Sequence, residues 1–151
     1  MTAGGVQMRR GTRGFRFGST AAAVMTFAAG MALAADKPLS IELNRLDEQG
    51  PSCRASFVIS NPGPQTYTGF KLDLVVFDKG GTITKRLAAD VAPLRADKET
   101  VKVFDIPDTP CAGIGSILVN DVLDCRAGDK PAVDCAGTIA VSSKLAVKLL
   151  K

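Results

Sequence analysis

The chain predicts an all-β fold, a seven-stranded sandwich of two stacked sheets closed by two disulfides. Three observations carry this. From Leu39 onward apolar and polar residues alternate with the two-residue period of strands, and no long stretch has helical spacing. Turn residues recur at intervals of about 8–15 residues, the rhythm of short strands folded back on one another. Cys53, Cys111, Cys125 and Cys135 are even in number and all lie in this alternating part, as in small exported domains stapled by disulfides.

Leu39, Ile41 and Leu43 alternate with Ser40, Glu42 and Asn44 in a first strand. Cys53, Ala55, Phe57 and Ile59 form the second, although Val58 breaks its polar side. Asn61-Pro62-Gly63-Pro64 is a strong turn. The third strand starts at Phe70, and its continuation Val75-Val76-Phe77 is apolar on both faces, which marks it as central. Asp78-Lys79-Gly80-Gly81 is a hairpin turn, because glycine takes the positive φ such turns need. Ile83, Leu87 and Val91 mark a fourth strand ended by Pro93, and Val101, Val103 and Phe104 a fifth ended by Pro107 and Pro110. Ile114 to Leu123 is the sixth. In the seventh, Ile139, Val141, Leu145, Val147 and Leu149 share one face, with Lys144 and Lys148 on the other. The expected core packs Ile41, Phe57, Leu72, Leu74, Leu87 and Ile139.

Residues 1–34 read as an export signal. Arg9, Arg10, Arg13 and Arg16 form a charged front, Ser19 to Ala29 a short apolar stretch, and Ala32-Leu33-Ala34 a small-x-small cleavage site. The mature body would be 35–151, in the periplasm. The apolar stretch is too short and too rich in Ala and Gly to hold a ~30 Å hydrocarbon core as a stable anchor. Arg9-Arg10 raises twin-arginine export, but Gly11-Thr12 follows where an apolar residue is preferred, so the general secretory route stays open beside it.

The leader also disposes of the net charge of +4. It holds four of the 19 basic residues and none of the 15 acidic ones, so the body is neutral at 15 against 15. A neutral body with few aromatics lacks the basic, stacking-rich surface of a nucleic-acid binder. The chain has no His and no Trp, and all four Met precede residue 35. Histidine-dependent triads, imidazole metal sites and soft copper sites are therefore excluded from the body. The Cys gaps of 58, 14 and 10 positions are too wide for zinc or for a thioredoxin-type pair. No cofactor is expected.

Four cysteines permit three pairings, and their spacing does not choose. An immunoglobulin-like layout does, because there the second strand runs beside the fifth. Cys53 then starts the second strand at the end where Cys111 follows the fifth. Cys125 and Cys135 flank one loop at the other end. The expected bonds are Cys53–Cys111 and Cys125–Cys135.

Residues 53–106 resemble the immunoglobulin-like and FxLYD-type sandwiches of bacterial envelope proteins. The resemblance rests on Phe57-Val58-Ile59-Ser60-Asn61-Pro62-Gly63, on Phe70 to Gly81 with its aromatic, Asp and Gly ending, and on Val91-Ala92-Pro93-Leu94 before Val101. Ala96-Asp97 stands where that pattern has a glycine, and the cysteines are additional. The whole chain is also similar to small exported proteins of alphaproteobacteria known mainly by a twin-arginine-type signal sequence. Neither resemblance implies catalytic residues or a ligand.

The expected function is a non-enzymatic binding or adaptor module with an envelope protein as partner. Two surfaces are candidates: the 61–68 loop with Asn61, Pro62 and Tyr67, and the Lys-rich edge with Lys144 and Lys148. An inhibitor of an extracellular or periplasmic hydrolase is the alternative, through the rigid Pro107-Asp108-Thr109-Pro110-Cys111 loop or the Cys125–Cys135 loop. An enzymatic reading would use Asp121 with Asp124 as paired carboxylates for acid–base work, and Asp73 with Asp78 does no better. Three positions apart on a regular strand, Asp121 and Asp124 should face opposite sides, and Asp121 is expected to be buried on backbone amides.

Overall fold

The computed structural model describes residues 38–132 and 139–151, with 135 and 137 between them and 1, 2, 4 and 5 at the start. The chain divides into two units, Met1–Leu33 and Ala34–Lys151. The leader assigned to 1–34 lies almost wholly outside the described residues, and every described strand belongs to the second unit.

The alternating segments form strands β1 (Leu39–Gln49), β2 (Ser52–Asn61), β3 (Gly69–Asp78), β4 (Ile83–Asp90), β5 (Lys98–Ile106) and β6 (Ile114–Ala127). Three short ones complete the set: β7 (Lys130–Pro131), β8 (Ile139–Ser143) and β9 (Lys148–Leu150). One sheet has the order β5-β2-β1-β8, and the other β4-β3-β6-β7 with β9 also on β6. Between them pack Ile41, Leu43, Phe57, Ile59, Phe70, Leu72, Leu74, Val76, Ile117 and Ile139, all buried. Leu87 is only partly buried against this core.

The second strand does run beside the fifth, with Cys53 opposite Ile106. Cys53–Cys111 and Cys125–Cys135 are both bonded, at opposite ends of the sandwich. Cys125 pairs with Phe70 at the start of β3, whereas β3 ends where Asp78 meets Ile114, directly after Cys111–Gly113.

The described residues hold nine strands rather than seven. Lys130–Pro131 returns against Arg126 and Ala127 as a minimal hairpin. The expected last strand is two. β8 runs parallel to β1, Leu39 to Leu43 against Ile139 to Ser143. The chain then turns through 144–147 and comes back as β9 in the other sheet, parallel to Ser116–Leu118. The turn is drawn in by Ser143, whose hydroxyl donates to the Val147 carbonyl at 2.6 Å and accepts from the Leu145 amide at 3.1 Å. Lys151 ends beside the start of β8, its Nζ donating to the Ile139 carbonyl at 2.8 Å. This arch closes one flank of the sandwich.

β6 carries three bulges, at Gly115, Asn120 and Leu123, where its register against β3 slips. Gly115 crosses the β3–β4 turn so closely that a Cβ there would lie 2.7 Å from the Asp78 carbonyl carbon and 2.9 Å from Lys79 Cα. Only a residue without a side chain fits. The edge strands β4 and β5 each turn a lysine inward. Lys85 pairs with buried Val76 and reaches Asp108 at 3.9 Å, and Lys102 Nζ donates to the Ala92 carbonyl at 2.7 Å. A cation aimed inward at an edge makes adding a foreign strand costly.

Candidate interaction surface

The five residues expected to meet a partner do not form one surface. Asn61 is 3 % exposed. Its Nδ2 donates to the carbonyls of Gln65 at 2.7 Å, Arg95 at 3.0 Å and Leu94 at 3.3 Å, and its Oδ1 accepts from the Gly63 amide. The residue is a pin that ties the 61–68 loop to the 91–97 loop, with nothing left to offer outside. Pro62 and Tyr67 are half-buried. The Tyr67 ring lies edge-on to buried Phe70 at 5.5 Å, and its backbone pairs with Leu94. Lys144 and Lys148 lie elsewhere. Lys144 donates its amide to Leu43 and reaches Glu42 at 3.6 Å on the far edge of the first sheet. Lys148 is exposed on β9, opposite Ser116 in the second sheet.

The carboxylates each have a local task. Asp78 Oδ1 accepts from the amides of Gly80 and Thr82 and shapes the hairpin. Asp124 is held by Arg126 at 3.0 Å. Asp121 is exposed rather than buried, and accepts from the amide of Val122. The bulge at Leu123 corrects the expected geometry. Asp121 pairs with Asp73 and Asp124 with Lys71, so the extra residue puts both carboxylates on the same outer face. Among the described residues no three His, Cys, Asp or Glu side chains converge as a metal would require. No described helix is long and apolar enough to cross a membrane.

The buried carboxylate is Asp73, 3 % exposed on the outer face of β3. Arg86 on β4 grips it with two bonds, Nε to Oδ1 at 2.8 Å and Nη2 to Oδ2 at 2.6 Å. Asn120, the bulged residue of β6, donates to Oδ2 at 2.6 Å. The cluster ties three strands together. Arg86 holds the Asp73 carboxyl below its ordinary range, and Asn120 adds to this against the opposing pull of burial. A depressed folded-state pKa contributes stability that is complete above the unfolded value and lost as pH falls through the folded one. Asp73→Asn should therefore cost about 1–2 kcal/mol at neutral pH, the low end because the cover is side chains rather than core. The gap in urea unfolding between the two proteins should narrow as pH falls through the ordinary carboxylate range, where the unfolded chain takes up the proton while the native carboxyl still resists it. A gap that persists undiminished at pH 2.5 would refute the charged clamp.

Above this cluster the same face turns apolar. Leu74 and Val76 point into the core, so Val75 and Phe77 point out, and Leu118 does likewise between Ile117 and Val119; Val75 is covered to 6 % exposure, while Phe77 and Leu118 are half-buried. Register then extends the patch across four strands. Ile83 is opposite Phe77, Arg86 opposite Val75, and Leu150 opposite Leu118. Ile83 is 61 % exposed and Leu150 40 %. Among the described residues no other layer covers this face. A smaller apolar strip, Val58 with exposed Val101 and Val103, lies outside the first sheet. The double apolarity of β3 thus has a cause beyond its central place in the sheet. Its outward half belongs to a surface patch of the kind that marks contact sites. Arg86 and Asn120 went unrecognised in the sequence, where the sole hint was a lone acid inside Leu72-Asp73-Leu74-Val75. No family model, curated protein or solved structure matches the chain.

Proposed function

We propose that the protein is a non-enzymatic binding module of the bacterial envelope, an immunoglobulin-like domain of the FxLYD kind delivered to the periplasm by residues 1–34. The observation that carries the binding reading is the apolar outer face of the second sheet, where half-buried Phe77 and Leu118 lie between exposed Ile83 and Leu150. Two disulfides suit an oxidising compartment. The carboxylates singled out as acid–base candidates are each engaged locally, Asp73 and Asp124 by arginines, Asp78 by turn amides and Asp121 by the Val122 amide, which favours binding over catalysis. A photo-activatable residue at Leu118 should cross-link a defined product in the envelope. The same residue at Ala140, exposed on the first sheet, should not. Equal labelling from both positions, or none, defeats the assignment of this face.

A further inference from the structure

We propose that the partner on this face is a second copy of the chain, stacked sheet to sheet about a two-fold axis that crosses the strands at the Val75–Leu118 row. The inference rests on the binding reading above and names its occupant.

Three rows of the sheet set the geometry. The central row is Arg86, Val75, Leu118 and Leu150. The row on one side is Ile83, Phe77, Ser116 and Lys148. On the other side lie Ala88, Asp73 and Asp121, with bulged Asn120 between rows. A two-fold through the central row lays the second row of each copy over the third row of the other. Large Ile83 then meets small Ala88. Phe77 meets Asp73, and so lies on the planar Arg86 guanidinium that covers it, a favourable aromatic–cation stack. The Arg86 side chains of the two copies do not collide, because each is drawn off the central row onto its own Asp73. Leu118 and Leu150 meet their own counterparts, with buried Val75 beneath the contact.

The exposed charges match as well. Lys148 makes no ion pair among the described residues, and Asp121 makes none within 4.0 Å, although Arg86 feels its charge. In the stacked pair Lys148 of one copy falls one strand away from Asp121 of the other. A strand spacing of about 4.8 Å is within a lysine's reach. The contact occurs twice, as an isologous interface requires. Aligned sheets pack this way at about 10 Å, with side chains interdigitated.

The test is sedimentation of the processed, fully oxidised protein across the micromolar range. The parent should be a dimer, and Phe77→Glu a folded monomer by circular dichroism. Lys148→Asp and Asp121→Lys should each weaken the dimer by at least about tenfold, because each sets like charges together twice. Mixing these two single variants should restore a tight heterodimer, since each then meets its opposite charge at both contacts. A dimer indifferent to Phe77→Glu, or single variants that fail to rescue each other, overturns the proposal. A monomeric parent overturns it too. In that case a Leu118 cross-link to another protein, lost in Phe77→Glu, leaves the binding reading standing. Its absence ends both.

Discussion

Replacing Cys53 and Cys111 by serine should lower the unfolding free energy by about 4 kcal/mol, the largest single effect expected in this protein. The bond joins residues 58 positions apart and so removes much freedom from the unfolded chain. Cys125–Cys135 spans only 10 positions, and its loss should cost about 3 kcal/mol. The larger bond also has a packing role. Cys53 is fully buried beside Ile106, and the bond fixes the crossing from β5 to β6 through 107–113. Against a total of about 5–15 kcal/mol for a domain of this size, losing both bonds leaves little. Urea titration of the two double-serine variants measures the ranking directly. A larger loss from the 125–135 pair would contradict it.

Asn61→Ala should cost about 2–3 kcal/mol, well beyond the effect of an ordinary loop substitution. The side-chain amide reaches three carbonyls and accepts from one backbone amide, one of these bonds buried and the others half-buried. Alanine leaves those groups facing one another without a donor. Leu94 keeps partial compensation, because its carbonyl also accepts from the Tyr67 amide at 2.9 Å. The check is a shift in urea midpoint at unchanged slope. A loss under about 0.5 kcal/mol would show the two loops to be held by other means.

Much of the fold was legible because strand alternation and turn chemistry agree with each other. Cys53 at a strand start and Cys111 just past a strand end were enough to choose the pairing once the strand order was supposed. What escaped was anything that depends on parity. The bulge at Leu123 moves Asp124 to the same face as Asp121, and the one at Thr84, where β4 slips against Val76 and Phe77, turns Ile83 outward although Leu87 faces in. A one-residue insertion leaves no mark in an alternation pattern until its partner strand is known. The arch hid for the opposite reason, since the apolar positions keep their parity from Ile139 to Leu149 across the turn, with Ser143 alone departing from it. Asn61 read as turn residue and partner surface alike. Its burial arises only when the loop around Leu94 and Arg95, some 34 positions later, folds over it.

The arch has a temporal meaning. Its first arm lies against Leu39–Leu43, where Ser143 meets a carbonyl 100 positions earlier, and its second arm lies against Ser116–Leu118. Residues 39–43 thus lack one neighbour until residues 139–143 have been made, and such distant pairings form slowly. A chain that emerges front end first would wait with that side unsealed. Residues 139–150 act as a latch that shuts only once both of its receiving strands are made.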